Sequence, residues 1–94
     1  MSRIKKRVTS GLIAIKIKAS AAKALGKIKT ADRGKIVDAI DRLADTPHAG
    51  SALKGEFAGL RRIRVGGYRV IYEVDDGVLL VLVIRIAHRR EVYR

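Results

Sequence analysis

Three arginines in the middle of the chain are spaced so that a folded hairpin would bring them together. In RRIRVGGYRV, residues 61–70, strand alternation puts Arg62 and Arg64 on one face. The Gly-Gly pair that follows predicts a two-residue hairpin loop, which places Arg69 opposite Arg64. Directly opposed cations repel, so the pattern indicates an anion, such as a phosphate, that binds between them. A solvated sheet face is the alternative explanation for any one of these arginines.

A second group of possible catalytic residues lies in HRREVYR, residues 88–94. The imidazole of His88 can give or take a proton near neutral pH. Neighbouring arginines are expected to lower the pKa of the Tyr93 phenol from its ordinary value of about 10, which would make it a better proton acceptor. The alternatives are a surface histidine and a tyrosine that packs on a helix.

The charge of the chain indicates a polyanionic partner. Its 94 residues carry a formal net charge of +12, and so large an imbalance favours contact with nucleic acid, the ribosome or an acidic protein over mere solubility. Every cation after Lys54 is an arginine, the side chain that suits bidentate phosphate contacts.

The sequence also argues against several kinds of site. There is no cysteine, hence no disulfide and no thiolate metal site. The histidines and acids form no metal-ligand pattern, and we expect no metal and no cofactor. No apolar run approaches the roughly 20 residues of a membrane span, so we expect a cytoplasmic protein without membrane contact.

Hydrophobic patterning predicts an α+β domain with the order β-α-α-β-β-β, in which an N-terminal helical hairpin packs on a small antiparallel sheet. Residues 1–94 are expected to form this single domain, with residues 1–11 as a flexible basic arm. Ser20 and Thr30 are the predicted N-caps of the two helices. The predicted elements are strand 12–18, helices 20–28 and 30–45, and strands 60–65, 68–74 and 78–86.

Three segments of the second half resemble the RelE/ParE superfamily of bacterial and archaeal toxins, and more closely its RelE branch. They are LKG at residues 53–55, YRVIYE at 68–73 and HRREVY at 88–93. Their combination is fairly specific, although each alone is weak. The resemblance covers the whole chain and is least typical over its first eleven residues.

The resemblance implies a RelE-like fold and the toxin of a type II toxin–antitoxin pair. Such toxins enter the ribosomal A site and cut mRNA by attack of the RNA 2′-OH on the adjacent phosphate, without metal. It implies a cognate RelB-like antitoxin, ribosome and mRNA as partners, in a heterotetramer or larger complex. Carried over by motif, the catalytic positions are Arg62, Arg64, Arg69, Arg89 and Tyr93, with His88 as a further candidate. We expect Lys54, Arg61, Arg85 and Arg90 to contact RNA.

The sequence departs from the family pattern at the two sheet cations before the hairpin. Arg62 and Arg64 stand where the resemblance leads one to expect lysine, and arginine is a poor proton shuttle. These two would therefore stabilise charge, which leaves Tyr93 or His88 as the base. Two alternatives stay open: a ParE-like inhibitor of DNA gyrase, and an inactive toxin homologue that acts with its antitoxin as a co-repressor.

Overall fold

A computed structural model of the chain describes residues 13–77 and 79–88. The strands are β1 (Ala14–Ile17), β2 (Ser51–Ala52), β3 (Arg61–Val65), β4 (Tyr68–Asp75) and β5 (Leu80–His88). The helices are α1 (Ala19–Gly26) and α2 (Thr30–Arg42), and a single 3₁₀ turn covers Gly55–Phe57. The predicted basic arm, residues 1–11, lies outside the described residues.

The sheet has the strand order β1-β5-β4-β3-β2. Its strands β2 to β5 are antiparallel, but β1 pairs with β5 in the parallel sense. The α+β class and the helical hairpin are as predicted, whereas the sheet is mixed instead of wholly antiparallel. The two helices after β1 carry the chain from one edge of the sheet to the other, so that β1 lies beside β5 and not beside β2. A parallel pair requires a long connection of this kind, whereas a tight hairpin can give only an antiparallel pair.

Both helices pack against one face of the sheet. The buried core joins Ala21 of α1 and Ile36 and Ile40 of α2 to side chains of β4 and β5. The isoleucines at positions 13, 15 and 17 pack against this core at the spacing that the sequence predicts. No helix in the described part of the chain has the length and apolar character needed to cross a membrane.

The predicted N-caps of both helices are wrong. Each helix begins earlier than expected, so that Lys18 and Lys29 occupy the capping positions and neither provides a side-chain cap. The reason for α1 is geometric, because β1 ends at Ile17 and only one residue separates it from the helix. Asp32 does lie in the first turn of α2, where a carboxylate favours the helix dipole.

Candidate functional site

The hairpin between β3 and β4 forms as its glycines predict. Val65 pairs with Tyr68 and Arg64 pairs with Arg69 across a two-residue loop. Gly66 takes a positive φ of 60°, a conformation that side chains with a Cβ atom disfavour. The loop therefore fixes the register that sets the two arginines directly opposite each other.

Strand pairing gathers four arginines on the face of the sheet that points away from the helices. Side chains of directly paired residues share a face. Arg62 pairs with Ile71, which pairs in turn with Arg85. The cluster thus contains Arg62, Arg64, Arg69 and Arg85, and we call it the arginine face.

The arginine face has an apolar centre. Ile71 is only 4% exposed although it lies on the face without helices, and its two register partners are Arg62 and Arg85. The aliphatic stems of these arginines can cover the isoleucine while the guanidinium groups reach solvent. Consistently, the Nε atoms of Arg62 and Arg69 are buried. Stems held against the sheet limit the positions of the charged groups, which favours a preorganised anion site.

The other predicted site residues do not all join this cluster. His88 pairs with Tyr68 and so lies on the helix-facing side of the sheet. There its ring makes an edge contact with Tyr68, with ring centroids 5.7 Å apart, and a Cβ atom at Gly67 would lie 3.3 Å from His88 Nε2. His88 is thus at the hairpin end of β5, across the sheet from Arg69.

Two cations predicted to bind RNA have different surroundings. Arg61 pairs with Tyr72 on the helix-facing side, and its Nη1 donates to the carbonyl oxygens of Gly50 at 2.6 Å and His48 at 3.1 Å. It therefore supports a loop instead of the arginine face. Lys54 is exposed just before the 3₁₀ turn. Their RNA contacts stay predictions, as do the roles of Arg89, Arg90 and Tyr93, which lie outside the described residues.

The loop at residues 47–50 is held from inside the protein by Tyr72. This tyrosine is fully buried; its hydroxyl accepts a hydrogen bond from Gly50 N and donates one to Pro47 O, each at 2.9 Å. Burial raises the pKa of the Tyr72 phenol, while the Gly50 hydrogen bond and the nearby Arg61 charge partly oppose that rise. The neutral phenol is thus favoured, which keeps its O–H available to Pro47.

Sequence reasoning missed this anchoring arrangement. The pattern identifies Tyr72 as a strand residue, but no local signal shows that its hydroxyl reaches a loop 22 residues earlier in the chain. A Cβ atom at Gly50 would lie 2.6 Å from the Tyr72 hydroxyl and 2.7 Å from Arg62 O, so this position has no room for a side chain. A tethering role for a loop glycine becomes visible only with the three-dimensional contacts.

Comparison with known proteins identifies the family to which the chain belongs. A model described as "ParE toxin of type II toxin-antitoxin system, parDE" matches residues 15–93. The chain belongs to this toxin family. Its membership in the RelE/ParE superfamily, predicted from the three motifs, is thereby confirmed.

Curated relatives add members of the RelE branch of the superfamily. The chain is 43% identical over 53 residues to Toxin RelE of Mycobacterium tuberculosis, a match that covers 55% of each chain. It is 40% identical over 45 residues to Toxin RelG of the same organism, covering 48% of this chain and 52% of the relative. The matches therefore span about half the length of these curated relatives.

Solved structures share the fold over more of the chain. The toxin–antitoxin complex RelBE2 from M. tuberculosis aligns with a TM-score of 0.75 and 28% identity, covering 80% of this chain and 95% of the matched one. An archaeal RelE–RelB complex from Pyrococcus horikoshii OT3 aligns with a TM-score of 0.70 and 26% identity, covering 86% and 99%. These likenesses confirm the predicted RelE-like α+β fold.

Proposed function

We propose that this protein is the toxin of a type II toxin–antitoxin pair and that it inhibits translation as a ribosome-dependent endoribonuclease. The observation that carries the proposal is the arginine face: four cations from three adjacent strands on the side of the sheet opposite the helices. Packing on Ile71 uses only the aliphatic stems of arginine and does not account for four guanidinium charges on one face. A polyanion such as RNA offsets their mutual repulsion and uses their fixed geometry.

The proposed reaction is cleavage of mRNA by its own 2′-OH group. The 2′-oxygen forms a bond to the adjacent phosphorus and loses its proton to a base, while the bond to the 5′-oxygen breaks and that oxygen gains a proton. The products are a 2′,3′-cyclic phosphate and a 5′-hydroxyl. Charge builds up on the phosphate oxygens on the way, and positioned guanidinium groups stabilise it.

The residues divide into two roles in this proposal. Arg62, Arg64 and Arg69 stabilise the charged phosphate, because arginine does not deprotonate in practice. Tyr93 or His88 exchanges the protons. The position of His88 on the helix-facing side of the sheet favours Tyr93 as the base. No metal is needed in this scheme, which makes metal independence a testable part of the proposal.

The partners follow from the same proposal. Two of the structural relatives are complexes of a RelE-type toxin with a RelB-type antitoxin, which supports a cognate RelB-like antitoxin here. A chain with net charge +12 favours an antitoxin segment that is acidic or amphipathic. The other partners are the ribosome and its mRNA, so we place the action of the protein in the cytoplasm.

Primer extension on a translated reporter mRNA tests this function. Purified protein is added to a cell-free system with ribosomes and, in parallel, to the mRNA without ribosomes. We expect cuts within codons only when ribosomes are present. Intact mRNA in both reactions would overturn the proposal.

The match to the ParE model supports a second candidate, a gyrase inhibitor. It predicts trapped DNA cleavage complexes with purified gyrase and no ribosome-dependent cuts. If neither activity is found, the remaining alternative is an inactive homologue that represses transcription together with its antitoxin. Operator binding by the complex, in the absence of either toxic activity, would then support that function.

A further inference from the structure

An open depression borders the arginine face and extends beyond it toward the β2 edge of the sheet. One of its sides is formed by three consecutive residues of the loop that leads into β2, and the other by consecutive residues of β3. Two of the β3 residues are members of the arginine face. The lining consists of Ala49, Gly50, Ser51, Arg62, Ile63 and Arg64.

The depression exists because the chain leaves the sheet at Gly50. Strand β2 pairs with β3 through only two residues, Ser51 with Arg62 and Ala52 with Arg61. The preceding amide, Gly50 N, is directed to the Tyr72 hydroxyl at 2.9 Å. Beyond this point β3 continues without β2 beside it, and a gap opens next to Arg64.

The loop side of the gap is fixed by several bonds to the body of the protein. Tyr72 bonds to Gly50 and Pro47, and Arg61 bonds to Gly50 and His48. His48 in turn contacts Asp76 in the β4–β5 turn, with 3.3 Å between His48 Nε2 and Asp76 Oδ1. The loop is thus held by the buried Tyr72 on one side and by the β4–β5 turn on the other, so its backbone is positioned before a ligand binds.

We propose that this depression is a binding subsite for the sugar-phosphate backbone of single-stranded RNA, and that Tyr72 is its positioning residue. The inference rests on the proposed function and extends the RNA path past the arginine face to the β2 edge. Arg62 and Arg64 offer guanidinium donors to phosphate. The exposed Ser51 pairs with Arg62, so its hydroxyl lies on the same face as a further donor to phosphate or ribose.

RNA affinity of loop variants tests the subsite. The probe is a fluorescein-labelled, single-stranded 2′-O-methyl RNA, which cannot be cleaved because it lacks the attacking 2′-OH. We expect Tyr72→Phe to weaken binding about tenfold, because the Tyr72 hydroxyl no longer holds the loop at Gly50 and Pro47 in the binding geometry. Ser51→Ala should weaken it about threefold. Because Ser51 is exposed, this second variant keeps the test independent of folding.

Ile40→Val is the matched control for general loss of stability. Ile40 is a core residue of α2 with 2% exposure that does not line the depression, and its substitution should leave RNA affinity unchanged. In the ribosomal cleavage assay, Tyr72→Phe should raise KM several-fold and leave kcat nearly constant, a split that simple destabilisation does not produce.

The outcomes separate this inference from the proposed function. Binding by the wild type that falls in Tyr72→Phe and Ser51→Ala, but not in Ile40→Val, supports the subsite even if no ribosome-dependent cleavage is found. Equal binding by all four proteins overturns the subsite while leaving cleavage to be judged by primer extension. No binding of the RNA by the wild type also overturns it.

Discussion

The two faces of one sheet differ in what determines their residues. On the face toward the helices, Val70, Val83 and Ile86 are at most 2% exposed, and packing accounts for each of them. On the opposite face the same strands carry Arg69 and Arg85, whose aliphatic stems can pack but whose charges packing does not require. Packing thus accounts for the residues of the helix-facing side, and we propose that the charge of the arginine face serves the RNA-directed function.

The largest effect on activity is expected for a substitution on the arginine face. Arg69→Ala should abolish growth arrest in cells, because the cation directly opposite Arg64 on the arginine face is lost. The variant should still fold and bind its antitoxin, since the helix-facing core is intact. Growth curves after induction, together with co-purification of the antitoxin, measure both properties. Unchanged growth arrest would refute the assignment of the site.

The next effect concerns proton transfer. Tyr93→Phe should lower the single-turnover rate of cleavage by at least about 100-fold, the lower end of what general acid–base catalysis supplies. The matched variant His88→Asn should have a smaller effect, because His88 lies on the helix-facing side of the sheet. A near-normal rate for the tyrosine variant would transfer the role of base to His88.

A substitution in the helix-facing core tests whether that face affects stability without affecting activity. Val83 is fully buried, and Val83→Ala should lower the free energy of unfolding by about 2 kcal/mol through lost burial and the cavity left behind. Urea denaturation gives this value. Cleavage per folded molecule should be unchanged, and a loss as large as that of Arg69→Ala would show that the two faces are not separable.

Removal of one opposed cation should have opposite effects on stability and activity. Arg64→Gln relieves the repulsion between Arg64 and Arg69 and should raise the free energy of unfolding by about 0.5 kcal/mol. Cleavage should nevertheless decrease. Lys16→Gln is the control, since Lys16 pairs with Leu82 instead of a cation. A fall in stability for Arg64→Gln alone would argue against like-charge strain in the hairpin.

The smallest expected effect is none at all. A chelator should leave cleavage unchanged when polyamine keeps the ribosomes intact, because the proposed reaction uses only side chains and the RNA hydroxyl. Primer extension with and without chelator measures this. Loss of cleavage that returns when a divalent metal is added would establish a metal requirement.

Much of the arginine face could be predicted from sequence because it depends on local rules. Strand alternation and a glycine loop place Arg62, Arg64 and Arg69 on one face without any tertiary information. Arg85 joins them through pairing with Ile71. This register includes a β-bulge between Ile71 and Tyr72 that the pattern does not reveal.

The features that sequence did not predict depend on contacts between distant segments. The parallel pairing of β1 with β5 joins the first and the last strand of the sheet, and no local sequence pattern indicates it. The hydrogen bond of Arg61 was not predicted for a similar reason: although Arg61 is next to Arg62 in sequence, it lies on the opposite face and donates to the loop at Gly50. Charge alone could not distinguish an arginine that supports a loop from one that lies on the arginine face.

Paired charge removals on programmed ribosomes test the central claim, that the arginine face is the site that acts on RNA. Arg69→Gln removes one positive charge from this face, and Lys23→Gln removes one from the exposed surface of α1. Single-turnover cleavage of the mRNA is compared with the wild type at one salt concentration. We predict a loss of at least about 100-fold for Arg69→Gln and a rate close to wild type for Lys23→Gln. Equal losses in the two variants would contradict the claim, because they would show that overall charge and not this face drives the reaction.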